Sequence, residues 1–178
     1  FWASRCTPGM EMRKIHTGLP GLIIRILSGI VLDDMNDFDF ADNDRQRQLW
    51  EDIAKDNKFT RKMEKALKEV LYIGDGAFKV TIDTTVSEFP ILEWYPGERV
   101  EIVRNRDRVK EVVFKTPYKA GHQQYVLYEH YGYGYIYNEL YKGDTSVPLN
   151  AIDATKGIKD TKFDDTLILA VPLQVYES

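Results

Sequence analysis

From residue 77 onward the sequence is a series of short alternating segments punctuated by turn residues, and that spacing constrains the fold more than any other feature. In AFKVTID, Phe78, Val80 and Ile82 alternate with Lys79, Thr81 and Asp83, the period-two pattern of a half-buried strand. ILEWY (91–95) closes at Pro96-Gly97, and its Glu93 reads as an outward-facing strand residue. ERVEIVR (98–104) turns at 105–108, where Asn105 and Asp107 are turn formers. VKEVVFKTPYK (109–119) ends near Pro117, before a further turn at Ala120-Gly121. QQYVLYEHYGYG (123–134) and YIYNELYKGD (135–144) make a tyrosine-rich pair, with Gly132 and Gly134 marking a turn or bulge. After Pro148 the pattern loosens, and a strand returns at TLILAVPL (166–173). Connections this short bring consecutive strands together antiparallel, as a meander.

Upstream, the period changes. In DRQRQLWEDIAKDN, Leu49, Trp50 and Ile53 form a narrow apolar stripe; in TRKMEKALKEVLYIGDG, Met63, Ala66, Leu67, Val70 and Leu71 fall on one helical face. Asp42, Asn43 or Asp44 would cap the first helix, and Asn57 or Thr60 the second. Gly74-Asp75-Gly76 then joins helix to strand. A phosphate cradle needs the reverse order, strand, glycine loop, helix N-terminus, because only there do free N–H groups face the anion. At a helix C-terminus the same glycines supply a left-handed cap and a turn.

The segment before the helices is rich in β-branched residues. LIIRILSGIVL (22–32) reads first as a buried strand interrupted near Ser28-Gly29, with a helix as the alternative that periodicity leaves open. DDMNDFDFADND (33–44) follows as an acidic loop. It fails the EF-hand pattern: counted from Asp37 and Asp39, Ala41 stands at the fifth position, Asp42 where glycine is needed and Gln48 where the closing Glu belongs. The expected fold is therefore α+β. It comprises two amphipathic helices on a curved, mostly antiparallel sheet, with an N-terminal strand segment, in one domain over 1–178. Within it, 1–43 holds the strand and acidic loop, 44–76 the helical pair and 77–178 the meander.

Chemistry is sparse in this pattern. Cys6 stands alone, and His16, His122 and His130 lack metal-ligand spacing, so neither a disulfide framework nor a zinc site is expected. No G-x-S-x-G elbow occurs. Acidic residues outnumber basic ones 28 to 24, which argues against gripping nucleic acid by bulk charge. One basic cluster, RNRDRVK, sets Arg104, Arg106, Arg108 and Lys110 at a hairpin tip as possible contacts to DNA or a partner. No apolar run approaches the about 18 residues of a membrane-spanning helix, and no membrane partner is expected.

The order of segments carries a resemblance. A Trp-bearing helix, a second helix running into GDGAFKV, then PILEWYP, a charged hairpin returning as VVFKTPY, and YVLYEHYGYGYIYNELY together resemble the portal proteins of siphovirus-type tailed bacteriophages. The early GLPGLIIRILSGIVLDD is similar to the N-terminal strand region of that family. The resemblance covers about residues 19 to 173 and rests on segment order more than on any single motif. It implies a structural, non-catalytic protein without cofactor or metal. Its copies would form a ring, usually dodecameric, at the capsid vertex, through which double-stranded DNA passes during packaging and ejection. The implied partners are the capsid or scaffolding protein, the terminase large subunit and head-tail connector proteins. The implied location is the virion, with assembly in the host cytoplasm. The residues match the peripheral wing of a portal; counterparts of the stem, clip and crown do not occur among them. With Phe at its start and Tyr-Glu-Ser at its end, the chain reads as a piece of a longer protein.

Two rival readings come from the residues. One is a small metal-dependent hydrolase built on Asp37, Asp39 and Asp42. The other is a nucleic-acid-binding module built on the 104–110 hairpin.

Overall fold

The computed structural model describes residues 18–35, 38–41 and 43–175. Three helices precede nine strands: α1 (Leu19–Asp33), α2 (Asp44–Asp56), α3 (Phe59–Ile73), β1 (Asp75–Thr81), β2 (Ile91–Pro96), β3 (Val100–Asn105), β4 (Arg108–Ala120), β5 (Gln123–Gly132), β6 (Tyr135–Lys142), β7 (Thr145–Val147), β8 (Thr161–Lys162) and β9 (Ala170–Gln174). The fold is α+β with antiparallel sheets, and the meander β3-β4-β5-β6-β7 pairs in sequence order. The strands divide between two sheets. β9 returns to pair with β1, completing a three-stranded sheet β2-β1-β9 beside the meander. Pro117 does not end its strand. β3 pairs with β4 only as far as Phe114, so at Pro117 the missing N–H faces a side without a neighbour.

The small sheet lies between the helices and the meander. On one face Phe78 packs with Phe59 (6.2 Å between ring centroids) and Trp94 (5.0 Å), and the Trp94 indole N–H donates to Glu69 of α3 at 2.6 Å. On the other, Ala77 and Ala170 join Val112, Phe114 and Tyr131 in one core. A second core, Tyr125, Leu127, Leu140 and Ile152, sits at the far end of the meander.

Gly74-Asp75-Gly76 is a junction, each glycine for its own reason. Gly74 caps α3 at φ 114° and donates its N–H to Val70 O at 2.8 Å. A Cβ on Gly76 would stand 2.4 Å from the Trp94 ring.

Four further expectations are corrected. Residues 22–32 belong to a helix, not a strand. Pro20 suits the first helical turn, and Ser28 returns its hydroxyl to Arg25 O at 3.1 Å, so Ser28-Gly29 is no break. The β-branched composition is overridden by packing, with α1 lying on α3 through the buried Ser28. Lys79 is not on a wet face: it is 6% exposed, because the meander covers that side of β1. Glu93 likewise turns toward Lys79 between the sheets. Finally, neither Asn57 nor Thr60 caps α3. Lys58, in the left-handed region at φ 51°, holds that position without a side-chain bond. Asn57 instead ties the helices to β2, donating to Ile53 O (3.0 Å) and Pro90 O (2.8 Å) and accepting from Leu92 N–H (2.8 Å). Asn43 does cap α2, accepting the Gln46 N–H at 3.1 Å.

Candidate functional site

The basic cluster sits where its turn residues place it. β3 and β4 close through Arg106-Asp107, both at positive φ (50° and 62°), as a two-residue type I′ turn demands. The four cations do not act together. Arg104 is taken up internally: its guanidinium donates to Asp107 O at 2.9 Å and to Gln174 Oε1 on β9, fastening the hairpin to the end of the small sheet. Arg106, Arg108 and Lys110 are exposed, and their side chains make no hydrogen bond or ion pair among the described residues. The tip therefore presents three cations on a pinned support.

Among the described residues the acidic segment forms no metal centre. Asp37 and Asp42 lie outside the described residues; Asp39 accepts the Ala41 N–H at 2.9 Å, an ordinary turn bond. No group of three ligating side chains converges among the described residues. Cys6 and His16 also lie outside them.

Two polar networks escape sequence reading. In the first, the Lys79 ammonium lies 3.2 Å from Glu129, 3.3 Å from Glu93 and 3.0 Å from the Tyr95 hydroxyl, and over the Tyr95 ring at 4.9 Å. Burial works to lower its pKa, but Glu129 and the Tyr95 hydroxyl outweigh it and the pKa is raised. Burial also pushes the neighbouring Tyr131 hydroxyl up to about 12. In the second, on the outer face of the meander, His130 Nδ1 is 3.0 Å from Glu111, whose other oxygen accepts from Tyr135 at 2.6 Å. Burial raises the Glu111 pKa, yet the Tyr135 and His130 bonds outweigh it and hold the carboxyl low, while the bond to Glu111 pushes Tyr135 up to about 12. His122 occupies the turn between β4 and β5.

Neither network lines either of two hollows in the surface. One hollow, about 450 Å³, is lined by Tyr118–Ala120 and residues 150–154; another, about 350 Å³, is lined by Ala54, Lys55 and 58–61 at the α2–α3 junction.

Among the described residues α1 is a helix with one face uncovered. α1 meets α3 through Ser28, 1% exposed, and half-buried Ile24, Gly29 and Leu32. Its other half carries Leu22, Ile23, Ile26, Leu27, Ile30 and Val31, all between 42% and 53% exposed. These six spread over about 180° of the helix, a full apolar face turned outward. The signal was present in the sequence as pairs of aliphatics recurring every four residues, but a strand reading hides it.

A comparison with known protein families and with curated proteins finds no match to this chain.

Proposed function

We propose that this chain is a shape-holding element of a self-assembling ring, of the portal type that its segment order resembles. The observation that carries the reading is the outward apolar face of α1. A row of six large aliphatics on one helix is a surface that a neighbouring polypeptide covers, and assemblies of identical subunits supply such neighbours. The rest of the molecule suits a part that transmits shape. Two sheets are stacked and cross-tied by Lys79, Glu93 and Glu129, and a hairpin is pinned by Arg104 to the last strand. A net charge of −4 also suits a conduit wall, along which DNA slides without being gripped.

On this reading the ring surrounds double-stranded DNA as it enters and leaves a capsid, and terminase, capsid or scaffolding protein and head-tail connectors dock on its outside. Electron microscopy of the protein expressed from its complete gene tests it. Annular particles with a central channel are expected; a strictly monomeric protein at high concentration refutes the reading.

A further inference from the structure

We infer that the outward face of α1 is covered by a second copy of this chain in a head-to-tail contact, seated against the C-terminal end of the neighbour's α3. The inference rests on the ring reading and names the surfaces that would join one copy to the next.

The two surfaces differ, which is what a head-to-tail contact requires. The first is the α1 face. Arg25, the one charged residue between 19 and 32, falls outside its arc, so the face can be buried without stranding a charge. Beyond it the chain turns acidic, with Asp33 and Asp34 exposed at the helix end and Asp39 after them. Phe38 packs on Trp50 (4.6 Å) and Phe59 (6.2 Å), which holds this acidic segment at the start of α3.

The second surface is at the other end of α3. Tyr72 is 78% exposed, Ile73 39% and Val175 40%; the Val175 N–H donates to Gly74 O at 3.2 Å, so the three are neighbours around the helix cap. Beside them stands the hairpin that Arg104 fastens to Gln174, carrying the free cations Arg106, Arg108 and Lys110.

Each apolar surface thus has charged residues beside it: Asp33, Asp34 and Asp39 by the first, where Lys58 and Arg61 at the start of α3 also stand, and Arg106, Arg108 and Lys110 by the second. The two groups lie at opposite ends of a 15-residue helix, about 22 Å apart along its axis, beyond reach of each other within one molecule. A neighbouring copy brings them together, the aspartates to the basic hairpin. A two-fold pairing of α1 with α1 would leave the hairpin unused. A lipid surface fits poorly, since helices that lie on membranes carry Lys and Arg along their polar face.

The test is bismaleimide cross-linking of the full chain in a Cys6→Ser background at high concentration. Ile26→Cys together with Tyr72→Cys should give a ladder of covalent oligomers, while either substitution alone gives none. Adding Arg106→Glu, Arg108→Glu and Lys110→Glu to the pair should abolish the ladder. So should adding Asp33→Lys and Asp34→Lys instead, and mixing the two reversed proteins should restore it. A covalent dimer from Ile26→Cys alone would mean a two-fold contact and overturn the proposal. A monomer whose Ile26→Cys thiol is slow to label would assign the face to another part of the same chain, and also overturn it. Annular particles without the ladder would refute this contact and leave the ring reading standing; neither particles nor ladder would refute both.

Discussion

Lys79 shows how a single side chain can hold two sheets in register. A buried ammonium is tolerated only with partners, and here Glu129 comes from the meander while Glu93 and Tyr95 come from the small sheet. Lys79→Ala should therefore cost about 3–5 kcal/mol in urea unfolding, because Glu129 is left buried without its counter-ion. Lys79→Met combined with Glu129→Gln should recover most of the loss. Tyr131 adds a pH dependence. Its hydroxyl titrates near 12 in the folded chain, against about 10 when unfolded, so the folded state holds the proton more tightly. That stabilisation is complete below pH about 10 and disappears as pH climbs toward 12. Urea titrations across this window should show stability falling with rising pH, and Tyr131→Phe should flatten the slope.

At the scale of elements, the β3–β4 hairpin combines a register shift between Val103 and Arg104 with a strained tip. Asp107 sits at φ 62°, a conformation that an L-residue adopts at a cost of about 1 kcal/mol and glycine adopts freely. Asp107→Gly should thus raise stability by about 1 kcal/mol in chemical denaturation, since the bond from Arg104 goes to the backbone carbonyl and survives the change. Elements were also where sequence reading worked best. The alternating segments and their turn residues specified β1 through β6, and the three-and-four spacing specified α2 and α3, because both signals are local. α1 was misread because Ile and Val are common to strands and to helix faces that pack on a neighbour. The hairpin cations were found on the chain, but the diversion of Arg104 to Gln174 joins positions 70 apart and leaves no local trace.

At the scale of the molecule, the stacking of two sheets and the burial of Lys79 between them were not readable, since alternation in β1 gives no sign that both faces will be covered. The same scale decides what α1 is for. Replacing Leu22, Ile26 and Ile30 together with Gln should leave the monomer's unfolding midpoint nearly unchanged, because these side chains bury little within one copy. Self-association measured by light scattering against concentration should disappear. A loss of monomer stability comparable to that of a core substitution would mean that the face is already covered.

Asp75, at the start of the small sheet, pairs with Gln174, 99 positions downstream. During synthesis, β1 thus emerges long before its outer partner exists, and the helices must wait with one flank of their sheet bare while the meander is made and folded. Closure of that flank is a late, long-range event, the slow kind of step in which chains are most exposed to mispairing. A nascent chain halted before residue 170 should accordingly carry a finished meander beside an unfinished helical layer, and would be the form most in need of a chaperone.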